Sequence, residues 1–161
     1  MNNYGEFCTA TSGDPQLQGQ TSPPQRILVV DDDHDIRDIC ARVLTAYGYQ
    51  ADAVEDSAAA WKALRARSYD LLITDHNMPK VTGIELVRIL RSQRMMLPVV
   101  LMSGALPVEA VVRDPSLQLA ATLLKPFTME ELLGLVTKVL YAAQFGSAAN
   151  SQTMTAIHSK V

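Results

Sequence analysis

Five side chains in this chain of 161 residues are of types that can do chemistry together: the adjacent carboxylates Asp31 and Asp32, a third at Asp75, the hydroxyl of Ser103 and the ammonium of Lys125. Each stands at the end of a short aliphatic run. Gathered at one place, three carboxylates repel, and the group stays ionised only with a cation to hold it. An all-oxygen, carboxylate-rich set suits Mg²⁺, which commonly takes one or two carboxylates with waters and phosphate oxygens. Lys125 can neutralise a carboxylate at rest or hold a phosphoryl oxygen, and Ser103 can donate to that same oxygen. Carboxylate nucleophile, metal, lysine and hydroxyl are the parts of phosphoryl transfer, in which positioning and charge neutralisation carry most of the catalysis.

The elements that must position these residues are legible in the hydropathy pattern. Ile27 to Val30 is a continuous aliphatic run, as in a strand buried on both faces. Ile36, Ile39, Cys40, Val43, Leu44 and Tyr47 then recur at helical spacing, and Gly48 supplies a stop. Ala51 to Val54 reads as a weaker strand, followed by an Ala-rich helix over about 57–67 with Trp61 and Leu64 inward. Leu71 to Ile73 makes a third strand, and a helix follows over about 83–93. Pro98 to Met102 is a fourth strand. A helical stretch begins near Pro107 and is cut short by Pro115. Ala121 to Leu124 is the fifth strand, and a last helix runs from Thr128 to about Tyr141.

Strand–helix alternation of this kind predicts an α/β fold: a doubly wound, five-stranded parallel sheet with helices on both faces. Ligands then bind at the carboxyl ends of the strands, where the five candidate residues stand. Residues 1–25 are rich in Gln, Thr, Ser, Gly and Pro, and residues 144–161 in Ser, Ala, Asn, Gln and Thr; they read as a flexible arm and a flexible tail flanking one domain at 26–143.

Composition excludes other classes. The net charge is −3, yet residues 31–38 alone carry −4, so the acidity is one knot on a nearly neutral body. No basic excess points to nucleic acid, and no apolar run approaches the roughly 18 residues that span a bilayer. The first 25 residues lack Lys, Arg and an apolar block, which argues against a secretory signal. Cys8 and Cys40 make no disulfide framework, so a reduced, cytoplasmic setting is expected. Asp33 reads as a helix cap, Cys40 and Trp61 as core, and Arg88, Arg91 and Arg94 as a solvated basic strip. His34 and His76 flank the candidate site, but carboxylate sites for Mg²⁺ do not use imidazole.

The text IleLeuValValAspAsp at 27–32, ThrAspHisAsnMetPro at 74–79, MetSerGly at 102–104 and LysProPhe at 125–127 resembles the receiver domain of two-component response regulators. The separations of 43, 28 and 22 residues from Asp32 through Asp75 and Ser103 to Lys125 fit that family too. The resemblance covers about 26–142 and implies the flavodoxin-like strand order 2-1-3-4-5. It implies that Asp75 accepts phosphate from a sensor kinase's phosphohistidine. Asp31 and Asp32, with Asp75 and the backbone carbonyl of Asn77, would hold Mg²⁺, while Ser103 and Lys125 would contact the phosphoryl group. It also implies a cis Lys125–Pro126 bond. The partners it implies are a sensor histidine kinase or phosphotransfer protein and a downstream protein target, with no nucleic acid and no membrane. The chain then acts as a non-turnover phosphoacceptor, stand-alone because few residues follow the last helix, and as a monomer or weak homodimer.

Two departures concern the output. Where the family often has an aromatic residue three before the lysine, this chain has Thr122, which cannot make an aromatic rotamer switch. Asp114-Pro115 interrupts the fourth helical stretch. A readout through the loop at Gly104–Pro107 is the expected substitute. The competing functional class is a receiver-like interaction module that works without phosphate. A flavodoxin-type electron carrier is disfavoured because the loop after the first strand is acidic and would repel a cofactor phosphate. A carboxylate-nucleophile phosphatase is disfavoured because its first-strand DxD is replaced here by adjacent aspartates.

Overall fold

In the computed structural model, residues 23–105 and 114–152 are described. Five strands, β1 (Arg26–Val30), β2 (Gln50–Val54), β3 (Leu71–Asp75), β4 (Val99–Ser103) and β5 (Ala121–Leu124), form one parallel sheet in the order β2-β1-β3-β4-β5. Four α-helices are seen among the described residues: α1 (His34–Ala46), α2 (Ser57–Ala66), α3 (Gly83–Ser92) and α4 (Met129–Gln152). The helical stretch expected from Pro107 falls mostly outside the described residues. Where the described chain resumes, a 3₁₀ turn covers Pro115–Leu117, with Pro115 as its first residue, the place where a missing N–H costs nothing.

The inner strands β1, β3 and β4 are buried because they are apolar on both sides. Ile27, Val29, Leu71, Ile73, Val100 and Met102 pack with Cys40 and Leu44 of α1 and Leu132, Val136 and Leu140 of α4. Leu28, Val30, Leu72, Val99 and Leu101 pack with Ala60 and Leu64 of α2 and Leu86, Val87 and Leu90 of α3. With a core on each face of the sheet, Asp31, Asp75 and Ser103 come together at its carboxyl edge.

Caps fix the helix starts. Asp33 Oδ1 accepts from the N–H groups of Asp35 and Ile36 and begins α1, as its sequence position suggested. Thr82 and Glu85 close a reciprocal capping box at α3, a Thr-x-x-Glu signature that sequence reading passed over.

Three expectations need correction. Ile39 and Tyr47 belong to the helical stripe of α1 yet are exposed, because the face of α1 that meets the core is Ile36, Cys40, Val43 and Leu44 and leaves these two beside it. The last helix does not stop near Tyr141 but continues to Gln152, so part of the expected tail, residues 144–152, is helical. That run contains no proline, and the helix continues through it despite Gly146, a weak helix former. Arg91 is not part of a solvated strip. It is half-buried, with Nε donating to Leu117 O (2.9 Å), Nη1 to Met95 O (2.6 Å), and Nη2 to Leu97 O (3.1 Å) and Gln118 O (3.2 Å). Burial lowers its pKa from the ordinary guanidinium value. Nearby Arg88 Nε pairs with Asp114 at 3.0 Å.

Arg91 therefore staples the end of α3 to the turn before β5, and four carbonyls depend on one guanidinium. Arg91→Met is expected to destabilise the domain by about 2–3 kcal/mol in urea titration, since partly buried acceptors lose charged donors. Arg91→Lys should recover only a minor part, because an ammonium cannot fork to four acceptors. A wild-type midpoint in Arg91→Met would show that water replaces the clamp.

Candidate functional site

The sheet register assembles the site. Val30 pairs with Thr74, Asp75 with Met102 and Ser103 with Leu124. The residues just beyond these pairs, Asp31 and Lys125, thus flank Asp75 and Ser103 along one edge.

Asp31, Asp75 and Ser103 are buried, a costly placement for carboxylates unless each oxygen is answered. The backbone answers two of them: Asp31 Oδ1 accepts from Asp33 N at 2.9 Å, and Asp75 Oδ2 accepts from Asn77 N at 2.6 Å. Lys125 answers the other two. Its Nζ lies 2.8 Å from Asp31 Oδ2 and 2.6 Å from Asp75 Oδ1. The lysine was expected to neutralise one carboxylate at rest; it bridges both.

Charge at this edge is not balanced by that one ammonium. Desolvation raises the pKa of Asp31 above the usual carboxylate value, against the lowering effect of its hydrogen bonds from Lys125 and Asp33. For Lys125, burial alone acts to lower the pKa, but the hydrogen bonds and charges of Asp31 and Asp75 outweigh it and the pKa is raised. Cys40, buried beneath, has its thiol pushed up to about 11 by burial and then by the charge of Asp31, so it is inert core, as expected.

The third carboxylate is not drawn into this group. Asp32 is exposed, and among the described residues no three of His, Cys, Asp and Glu stand together as a metal cage. The physical reason is that Lys125 holds the two buried carboxylates while the chain turns outward at Asp32 into the cap of α1. The donor set that remains, two hydrogen-bonded carboxylates, a further exposed one and backbone carbonyls, is all oxygen and short of positive charge. It fits Mg²⁺, which keeps several waters and needs few protein carboxylates.

Around these groups the backbone is tightly tied. His76 N donates to Met102 O at 2.8 Å and Gly83 N to His76 O at 3.1 Å. A Cβ on Gly83 would stand 2.2 Å from the carbonyl oxygen of Asp75, so α3 presses directly on the backbone of Asp75. Arg37 Nη1 donates to Asp31 O at 2.7 Å. Ser103 Oγ donates to Ala105 O and accepts from Ala105 N at 3.3 Å. The His76 ring is half-buried with Nδ1 unpartnered, whereas His34 is exposed. Lys125–Pro126 is cis, as the resemblance implied. Thr122 is exposed on β5, away from the role an inward-moving ring would have. None of the described helices is long and apolar enough to cross a membrane. The contributions of Gly83 and Arg37 were not apparent from sequence.

Comparison with known proteins agrees with this geometry. The family model of the response regulator receiver domain matches residues 27–137. Response regulator MprA of Mycobacterium bovis is 33% identical over 129 residues, which cover 80% of this chain and 56% of that protein. NtrC of Proteus hauseri, by name a DNA-binding transcriptional regulator, is 32% identical over 114 residues, 71% of this chain and 24% of NtrC. The chain thus spans about a quarter to just over half the length of these relatives. Among solved structures, the chemotaxis response regulator CheY4 of Vibrio cholerae has a TM-score of 0.66 at 29% identity, covering 72% of this chain and 98% of CheY4. TrrA of Thermotoga maritima, solved in complex with Mg²⁺-BeF, has a TM-score of 0.64 at 29% identity, covering 71% of this chain and 98% of its own. With a family model that matches from β1 into the last helix and that strand order beneath it, the chain belongs to the receiver domains of two-component response regulators.

Proposed function

We propose that the chain accepts a phosphoryl group on Asp75 from the phosphohistidine of a sensor histidine kinase or phosphotransfer protein, in the cytoplasm, and signals by binding a downstream protein target in the phosphorylated state. One observation supports this above the others: a single ammonium, Lys125 Nζ, lies within 2.8 Å of both Asp31 and Asp75 at the carboxyl edge of the sheet.

The chemistry follows from the contacts. A carboxylate oxygen of Asp75 attacks phosphorus, the P–N bond to the donor imidazole breaks, and its electron pair stays on that nitrogen, leaving an acyl phosphate. Bonds from Lys125 and Asn77 N, one to each oxygen, hold the carboxylate in place for attack. Lys125 then stands beside the incoming phosphoryl oxygens, and the Ser103 hydroxyl, at the end of the neighbouring strand, reaches one of them by leaving Ala105. Asp31, Asp32, Asp75 and the Asn77 carbonyl are the groups that would hold Mg²⁺, which supplies charge neutralisation at the phosphoryl oxygens when bound.

Intact mass measured after incubation with Mg²⁺ and a small phosphodonor such as acetyl phosphate tests the proposal. One phosphoryl group is expected on the wild type and none on Asp75→Asn or with EDTA present. A wild type that gains nothing would favour a binding module that works without phosphate.

A further inference from the structure

The chemistry proposed for Asp75 leaves one anomaly beside it. Among the described residues a single buried side-chain nitrogen or oxygen has no hydrogen-bond partner, Nδ1 of His76. Buried polar atoms of native proteins are nearly always paired, because an unpaired one has lost its water and gained no bond in exchange. His76 directly follows the candidate phosphoacceptor, and its ring is half-buried. Its backbone is tied on both sides: His76 N donates to Met102 O at 2.8 Å, and His76 O accepts from Gly83 N at 3.1 Å. The chain thus fixes where the ring stands while leaving its inner nitrogen unused.

Sheet register decides what stands next to it. Asp75 pairs with Met102, and the bond from His76 N to Met102 O carries the parallel ladder one step further, so that His76 stands opposite Ser103. Side chains alternate along a strand. Leu72 and Leu101, four residues before His76 and two before Ser103, both lie in the core with α2 and α3. His76 and Ser103 therefore project on that same face from adjacent strands, which lie about 4.8 Å apart. At rest the Ser103 hydroxyl is engaged by Ala105: it donates to Ala105 O and accepts from Ala105 N at a long 3.3 Å. Turned to a phosphoryl oxygen on Asp75, the hydroxyl leaves both, and its lone pairs lose that donor. An oxygen short of a donor then stands across the ladder from a nitrogen short of a partner.

We infer that His76 Nδ1 donates a hydrogen bond to Ser103 Oγ in the phosphorylated state and so holds the hydroxyl aimed at the phosphoryl group. The inference rests on the phosphoacceptor reading and adds a positioning residue to it. The imidazole stays neutral, with its one hydrogen on Nδ1. A hydroxyl that accepts on one side donates more strongly on the other, so the bond from Ser103 to the phosphoryl oxygen strengthens as His76 engages. No proton is transferred; His76, Ser103 and the phosphoryl oxygen form a row of hydrogen bonds that exists only when Asp75 is occupied. The unpaired nitrogen destabilises the resting arrangement alone, which favours the turned hydroxyl.

Titration of the full chain with beryllofluoride in excess Mg²⁺, a stable stand-in for the phosphoryl group, tests this when followed by amide chemical shifts. His76→Phe keeps a flat ring and removes the nitrogen, and its affinity is expected to fall about fivefold, the scale of one neutral hydrogen bond. His76→Asn, whose amide nitrogen stands near the place of Nδ1, should regain most of that. In a Ser103→Ala background the same His76→Phe replacement should change nothing, because the two groups act as a pair. Without metal, His76→Phe should unfold in urea no earlier than the wild type, since it removes a buried nitrogen that had no partner; a packing role predicts the reverse. With ¹⁵N-labelled histidine, the Nδ1–H signal of the wild type should shift on addition of Mg²⁺ and beryllofluoride. An unchanged signal, a His76→Phe variant that binds like the wild type, or a loss that persists without the Ser103 hydroxyl would each overturn the inference and leave the phosphoacceptor reading standing. A wild type that binds no beryllofluoride and takes no phosphoryl group would overturn both.

Discussion

Gly83→Ala is expected to destabilise the domain by about 3 kcal/mol and to abolish phosphoacceptance in whatever remains folded. The added methyl has no room. It would stand 2.2 Å from the Asp75 carbonyl oxygen and 3.0 Å from both the Asp75 carbonyl carbon and Leu101 Cδ1. A flexible side chain could turn away, but two of those three atoms are backbone of a central, fully buried strand. Relief requires α3 to retreat or β3 to bend. Either movement breaks the Gly83 N to His76 O bond and shifts the carboxylate relative to Lys125. Urea titration reads the stability loss, and intact mass after phosphodonor treatment reads the chemistry. A variant as stable as the wild type and still phosphorylated would show that the approach of α3 to Asp75 is looser than its geometry indicates.

Lys125→Met is expected to slow phosphoacceptance by about 10²–10³-fold, the scale on which one positioned charge acts on a developing anion. Its effect on stability depends on the metal. Without the ammonium, Asp31 and Asp75 face each other as buried carboxylates with no cation between them. Breaking a buried pair in this way costs about 3–5 kcal/mol. The side chain of Lys125 is 20% exposed, so solvent reaches this site and the expected loss in EDTA is nearer about 2–3 kcal/mol. Excess Mg²⁺ should restore most of it, because the divalent cation supplies the charge the lysine gave. Unfolding curves of variant and wild type, each with EDTA and with Mg²⁺, measure this directly. If the variant lost the same stability with Mg²⁺ as with EDTA, Lys125 would act through packing of its stem rather than through charge.

The candidate site's edge could be read from sequence because its residues sit at strand ends, and strand ends follow from apolar runs. Ile27 to Val30 located Asp31, and Leu71 to Ile73 located Asp75, since a parallel sheet in register brings such positions together. Asp33 was recognisable as a cap because capping is a local property. The positions that escaped notice depend on approach between distant segments. Arg91 has the spacing of a solvated strip, and only the fold shows that residues 117 and 118 come to it. Gly83 reads as an ordinary helix start until the backbone of Asp75 is seen against it. Ile39 and Tyr47 keep the helical period of α1, but period does not say how wide the neighbouring surface is. Asp32 shows a related limit: adjacency to Asp31 did not say that one carboxylate would be buried and the other exposed. The end of α4 escaped for a different reason, since alanine, serine and asparagine residues carry no periodicity from which to tell a helix from a coil.

The hydroxyl of Ser103 carries a single hydrogen, and in this structure Ala105 O holds it. An oxygen arriving on the neighbouring carboxylate is a rival claimant for that hydrogen, and the two acceptors cannot both be served. Exchanging one acceptor for the other changes little in hydrogen-bond count, so the preference between them is small and easily tipped by a doubly charged group. Were the hydrogen to change hands on the phosphorylation proposed above, the Ala105 carbonyl would be freed and the backbone at Gly104–Ala105 would lose that anchor. Occupancy of Asp75 would thereby be written into the freedom of a neighbouring peptide, with Thr122 left out of the exchange and no ring required to turn.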